Sequence, residues 1–241
     1  MSDKPYYLAY EARYQAVYAA GAQRWGHAPE DAALAETLTR WVAQHQLRGK
    51  RVVEFACGEG ASGVILSQLG CVYHGVDIAP SAVEKARAAL APFPMATAAR
   101  MDMVNESLTE TFDAALDVMG FHMLVVDGDC ARYLAHAHAA LKPGAPMLFY
   151  QESYRRTAYE GTVGSYAEWL ALTGDDYATP QLRRVLGTDT EVRIPLVPAR
   201  ARSRDGYVKT LVQAGFSVDD FQEMGVSEQI LSSATIWTHK R

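Results

Sequence analysis

Chemistry is first suggested by the stretch Arg51–Gly63, RVVEFACGEGASG. Two β-branched residues, Glu54 and Phe55 lead into Gly58, Gly60 and Gly63, and small apolar residues follow. This pattern predicts a strand, a tight turn and a helix start. Glycine tolerates positive φ and close approach of a ligand, and a helix start offers free N–H groups, so a nucleotide-bearing cofactor suits the stretch. The same glycines satisfy G-x-G-x-x-G, so their spacing alone leaves a dinucleotide open. Asp77 closes the strand-like VYHGVDI, 19 residues after Gly58, where a second strand end delivers acceptor oxygens to a ribose diol. Asp102 closes the weaker strand Thr97–Met103, and Asp117 lies near the end of the stronger strand Phe112–Met119. His122 follows in FHML, with an imidazole suited to general-base work near neutral pH; a structural histidine is the alternative. Met147–Glu152 then brings Gln151, Glu152 and Tyr154 to the same edge, followed by Arg155 and Arg156, which suit a bound carboxylate or plain solvation.

These residues need a scaffold, and the order of elements supplies one. Tyr7, Tyr10, Tyr14 and Val17 recur at helical spacing within Tyr6–Ala20, with Arg13 and Tyr18 beside them. That aromatic face either docks the helix on the domain or forms a lid over a ligand. Gly21–Pro29 breaks the helix and puts Trp25 on a loop, where its ring closes over a ligand or plugs the core. A second amphipathic helix spans Glu30–Leu47. Helices at Ala61–Leu69, from Ala79-Pro80-Ser81 onward with Ser81 and Glu84 in capping-box spacing, and at Asp129–Leu141 alternate with the strands. Alternating strands and helices predict a doubly wound, mostly parallel α/β sheet. Ser153–Arg202, including Pro195–Arg202, reads as a polar and aromatic insertion over the active edge. Ser203–Ala214 reads as a helix, and Phe216–Gln222 and Ala234–His239 as an antiparallel hairpin.

Composition narrows the function classes. The 241 residues are 49% hydrophobic, enough for one domain with an added lid or insertion. A net charge of −5 without a long basic run argues against nucleic acid as partner and favours a small molecule. Cys57, Cys71 and Cys130 are odd in number and lack C-x-x-C spacing, so they read as buried small residues, not as a disulfide framework or zinc site, and no metal is expected. MSDKPYYLAY lacks the apolar run of a signal peptide, and no segment approaches the roughly 18 apolar residues of a membrane span, so a cytoplasmic protein, monomer or homodimer, without membrane contact is expected.

Glu54 weighs against a dinucleotide enzyme, because the strand before such glycines is normally apolar and a buried carboxylate needs a polar partner. The set Glu54-Phe-Ala-Cys-Gly58-Glu-Gly60, Asp77, Asp102, the LKPG at Leu141–Gly144 and the closing hairpin resembles the class I S-adenosylmethionine-dependent methyltransferases. The resemblance covers Leu47–Glu152 well and the hairpin moderately, and departs where the family usually has glycine and this chain has Ala56. It implies a seven-stranded sheet, residues 48–152 as cofactor-binding core, 1–47 as helical lid, 153–202 as substrate cap and 203–241 as helix and hairpin. It implies S-adenosylmethionine as donor and S-adenosylhomocysteine as product. Gly58 and Gly60 would run along the cofactor, Asp77 would bind the ribose, Ile78 would pack on the adenine, and Asp102 with Met103 would hold the adenine amino group. Glu54 would steady the turn, Asp117 would lie below the methyl group, and Tyr14 and Trp25 would close over the cofactor. His122 would be the base, with Tyr18, Gln151, Glu152, Tyr154 and Arg155 around the methyl acceptor. The expected reaction is methyl transfer to N, O or S of a small molecule; an NAD-dependent oxidoreductase and a non-catalytic cofactor-binding protein are the alternatives.

Overall fold

Strands β1 (Arg51–Phe55), β2 (Val72–Asp77), β3 (Ala96–Arg100), β4 (Ala114–Val118) and β5 (Pro146–Ser153) run parallel, so their C-terminal ends share one edge. The structure, a computed structural model, describes residues 5–177, 179–184, 189–194, 196–225 and 232–241. A short hairpin of β6 (Gln181–Arg184) and β7 (Glu191–Ile194) stands apart. Strands β8 (Phe216–Met224) and β9 (Ser233–Lys240) extend the main sheet antiparallel, giving the order β3-β2-β1-β4-β5-β9-β8. The seven-stranded, mostly parallel sheet matches the expected architecture.

Both faces of the sheet are covered, which is why its central strands are nearly continuous apolar runs. Val53, Phe55, Met147 and Phe149 point to one core, shared with Tyr133 and Leu134 of α5 (Asp127–Ala139) and Tyr207 and Leu211 of α7 (Arg204–Gln213). Val52, Leu116, Leu148 and Tyr150 point to the other, shared with α2 (Ala32–Gln44), α3 (Ala61–Gln68) and α4 (Pro80–Leu90). The strand order reverses between β1 and β4, and such a switch point opens a ligand crevice outside the carboxyl ends of the strands.

Several expectations need correction. Strand β3 ends at Arg100, so Asp102 lies on the following loop, and α5 starts at Asp127. No capping box forms at Ser81: Ala79 is the N-cap of α4, and the N–H and hydroxyl of Ser81 both donate to Glu11 of α1 (Ala9–Ala19), at 3.1 and 2.6 Å. The Tyr6–Ala20 helix opens with a 3-10 turn at Tyr6–Leu8. The segment 153–202 contains α6 (Tyr166–Thr173) and the β6/β7 hairpin. Pro195, in the stretch read as part of that insertion, lies outside the described residues, as does much of the turn between β8 and β9. The three cysteines are free and buried, as expected. Among the described residues no helix is long and apolar enough to cross a membrane.

Candidate active site

The glycine-rich turn leaves β1 in left-handed backbone, with Ala56, Gly58 and Gly60 at φ of +54°, +52° and +82°. Ala56 takes this conformation despite its Cβ, at a cost on the order of 1 kcal/mol. Its Cβ is accommodated because residue 120 is glycine: a Cβ there would sit 2.6 Å from that of Ala56. Gly63 has a packing reason, since a Cβ on it would lie 2.5 Å from the Tyr73 ring. Held in that position, Tyr73 donates its hydroxyl to Glu54, which is 1% exposed. Burial pushes the Glu54 carboxyl up to about 8, against the pull of Tyr73 and Ser62. Glu54 thus braces the turn from beneath.

Asp77 stands at the end of β2, next to the turn. Its two oxygens accept the N–H groups of Gly58 and Ala79, each at 2.8 Å, and burial raises its pKa. A carboxylate oxygen takes two donors, so capacity remains for a diol. Asp102 accepts from Val104 N–H at 2.9 Å, from Asn105 Nδ2 at 2.9 Å and from the Tyr7 hydroxyl at 3.2 Å. Ile78 and Met103 are partly buried against the adjoining core.

The helix α1 and the turn before it lie across these strand ends. Tyr7 reaches Asp102, Glu11 reaches Ser81, Tyr14 places its hydroxyl 2.9 Å from where a Gly58 Cβ would be, and Tyr18 donates to Glu59 Oε1 at 2.7 Å. Spacings of four, three and four put these side chains on one helical face. Glu59 also accepts the N–H groups of Trp25 and Gly26, at 2.9 and 2.8 Å, so one carboxylate in the turn ties down both helix and loop. The Trp25 ring packs with Val17, Val192 and Ile194 under the Arg13 guanidinium, 4.8 Å from the ring centroid. Tyr18, expected to meet the methyl acceptor, donates to Glu59 in the wall beside the glycine turn.

On the other side of the switch point, His122 Nδ1 lies 2.8 Å from Glu152 Oε2, which also accepts the His122 backbone N–H at 2.8 Å. Ser153 N–H points at the same Nδ1, 3.2 Å away. The imidazole is buried, which pushes its pKa down to about 4. Its Nε2 is engaged by no described residue, and 7% of the side chain remains exposed. Glu152 is fully buried and is not a wall of the substrate pocket, contrary to expectation; burial pushes its carboxyl up to about 7. Asp117 is likewise fully buried, accepting from Tyr133 and from the N–H groups of Gly120 and Phe121. Burial and the nearby Glu152 carboxylate hold it well above the usual carboxylate range, so Asp117 supports the site from within and does not face a ligand.

The remaining acceptor-side residues are dispersed. A bulge in the β5–β9 pairing coincides with Gln151 at φ +55°, whose amide donates to the Tyr150 hydroxyl at 3.2 Å. Tyr154 is buried and donates to Glu223 at 2.8 Å, so its hydroxyl is already in use. Arg155 lines a surface cavity of about 610 Å³ with Arg156, Thr157 and Glu223, at the far side of the edge. Among the described residues no cluster suited to a metal is present. Sequence reasoning missed Glu11 and Glu59; the regular spacing of Tyr7, Glu11, Tyr14 and Tyr18 was the signal available for the first, and nothing marked Glu59 apart from its place between two glycines.

Residues 53–147 match a family model described as a methyltransferase domain. No curated protein sequence matches the chain. Its fold is similar to that of a Burkholderia thailandensis 1,6-didemethyltoxoflavin-N1-methyltransferase (TM-score 0.67, 16% identity, covering 99% of this chain and 92% of that one). It is also similar to a Synechocystis magnesium protoporphyrin IX methyltransferase (TM-score 0.66, 13% identity, 100% of both chains). A third similar fold is an amino pentose methyltransferase from Micromonospora echinaspora (TM-score 0.61, 17% identity, 95% and 96%). The chain has the class I methyltransferase fold.

Proposed function

We propose that the chain is an S-adenosylmethionine-dependent methyltransferase that methylates a nucleophilic N, O or S atom of a small molecule. The observation that carries this reading is the placement of Asp77 beside the left-handed Gly58 turn, with Asp102 on the next loop and His122 across the switch point. The fit to the cofactor rests on that turn, with its glycine backbone free of side chains, and on the spare acceptor capacity of Asp77 for the ribose hydroxyls. The resemblance gives Asp102 and Met103 to the adenine and Ile78 to its face; Tyr14, over Gly58, serves as the cover, while the Trp25 ring, packed with Val17, Val192 and Ile194, fits the alternative of a core plug. When bound, the donor supplies a methyl group on a sulfonium, with a neutral thioether as leaving group. The chain has to align the nucleophile, exclude water and accept a proton where the nucleophile carries one. Covering elements α1 and 153–202 serve the exclusion; His122 Nε2 serves the proton transfer, oriented by Glu152.

A buried carboxylate at Glu54 and an antiparallel β9 between β5 and β8 both disfavour the dinucleotide alternative. The oriented histidine with a free Nε2 favours an enzyme over a cofactor-binding protein without chemistry. On the sequence grounds above, the reading includes a cytoplasmic enzyme, monomer or homodimer, with no nucleic-acid or membrane partner. Its test is a metabolite screen with methyl-labelled cofactor. Labelled product from at least one small nucleophile is expected; clear cofactor binding with no transfer to any of them would point to the non-catalytic alternative.

A further inference from the structure

Two carboxyl groups meet in the interior behind His122. Strand alternation alone would turn Glu152 to the face of the sheet opposite Phe149. The extra residue of the bulge at Gln151 returns it to the side faced by Asp117, the β4 partner of Phe149. Both residues have no exposed surface, and their carboxyl groups are in hydrogen-bond contact. Two carboxylates in such contact need a proton or a cation between them.

No described cation takes that place, since neither group is ion-paired to a lysine or arginine among the described residues. Arg202, whose charge bears on Glu152, donates to Leu124 O and Cys130 Sγ. The hydroxyls around the pair are also engaged: Tyr133 of α5 with Asp117, Tyr207 of α7 with Ser153 O at 2.7 Å, and Tyr10 of α1 with Pro198 O at 3.1 Å. Glu54 of β1 adds a further carboxyl beside Asp117, and His122 is neutral at neutral pH.

Donors are unevenly shared between the two groups. Asp117 Oδ1 accepts the Gly120 and Phe121 N–H groups, and Oδ2 accepts Tyr133. Glu152 Oε2 accepts the His122 N–H and faces Nδ1, but Glu152 Oε1 is buried with no donor. Phe121 N–H, which also lies by Glu152, is already engaged with Oδ1. A proton on Asp117 Oδ2, aimed at Oε1, completes both groups. Their contact raises Asp117 and lowers Glu152, as it does for a donor and its acceptor.

We propose that Asp117 is a positioning residue that keeps its proton through the neutral range and donates it to Glu152 Oε1, leaving Oε2 to His122. On the acid side Oε2–H donates to Nδ1. As pH rises, that proton passes to Nδ1 and the Nε2 proton leaves to solvent, while the Asp117 proton stays in place. The use of this arrangement in turnover rests on the methyltransferase reading; the location of the proton does not.

Infrared spectra of the full chain with isotope-labelled aspartate carboxyls test the location, at about pH 8.5, where an ordinary aspartate is ionised. Wild type should show the carbonyl band of a labelled, protonated acid, and Asp117→Asn should lose it. Absence of the band from wild type overturns the proposal without recourse to a variant, as does a band that survives Asp117→Asn. The pH dependence of turnover tests the role. Asparagine is an uncharged stand-in for the protonated acid, so the limb near pH 7 should move by less than about half a unit in Asp117→Asn. A larger displacement would show that Asp117 works as an anion, and would overturn the proposal. Failure of wild type to bind S-adenosylhomocysteine would overturn the methyltransferase reading and leave the infrared result standing.

Discussion

His122 Nδ1 and Glu152 Oε2 lie 2.8 Å apart, so the protonation of one residue sets the tautomer of the other. Protonated, Glu152 donates to Nδ1, which can also accept Ser153 N–H, and leaves the proton on Nε2; ionised, it accepts from Nδ1–H, which gives up the 3.2 Å contact with Ser153 N–H, and frees the Nε2 lone pair. His122, with a pKa pushed down to about 4, is neutral in both states at neutral pH. The group that switches the base on is Glu152, raised to about 7 by burial.

Turnover of an acceptor that must lose a proton should rise with pH along a limb near pH 7. Glu152→Gln should abolish that limb. His122→Ala should cost about 10²–10⁴-fold in rate, the usual range for a general base, with cofactor affinity nearly unchanged. A limb near pH 7 that persists in Glu152→Gln would detach it from this pair.

The parts of this site differ in how far they could be read from the chain. Glu54, Gly58 and Asp77 are set by one strand-turn-helix-strand unit, whose spacing is local and therefore visible in the sequence. The pairing of His122 with Glu152 spans 30 residues and depends on β4 lying next to β5 and on the bulge at Gln151, neither of which leaves a local pattern. Asp117 and Glu152 were assigned to the ligand because strand ends face the crevice, yet a strand alternates its side chains and these two point inward. Tyr18 was placed by its neighbours in sequence, and its partner Glu59 lies 41 residues away.

Glu54 makes stability fall with rising pH. Its folded pKa, about 8, lies above the roughly 4.5 of an unfolded glutamate, so its favourable contribution is complete below the unfolded value and is lost as pH rises through 8. Urea unfolding at pH 6 and pH 8.5 should show this loss in wild type and a smaller one in Glu54→Gln. An equal loss in both would contradict the assignment.

Ala56 and Gly120 form a coupled pair. A Cβ at position 120 would lie 2.6 Å from the Ala56 Cβ and 2.7 Å from Asp117 Oδ1, so Gly120→Ala should destabilise by about 1–3 kcal/mol, the usual cost of overpacking. Combining it with Ala56→Gly should recover part of that loss, because one of the two clashes disappears. A double-mutant cycle reads this as a coupling energy; strict additivity would deny it.

Glu59 should be a clamp on the N-terminal cover. Hydrogen exchange in Glu59→Ala is expected to accelerate at the amides of Trp25 and Gly26, which donate to it at 2.9 and 2.8 Å, and in α1, which Tyr18 anchors there. Unchanged exchange in both segments would show that the cover is held by other contacts.

The central claim, that the crevice at the ends of β1, β2 and β3 takes the methyl donor through Asp77, is tested most directly by calorimetry of S-adenosylhomocysteine and NADH against wild type and Asp77→Asn. The account predicts that S-adenosylhomocysteine binds and NADH does not. It also predicts that Asp77→Asn weakens the binding by more than about 1 kcal/mol, the scale of a lost hydrogen bond to a charged group. Tight NADH binding with none for S-adenosylhomocysteine would contradict it, and unchanged S-adenosylhomocysteine affinity in Asp77→Asn would remove Asp77 from the site.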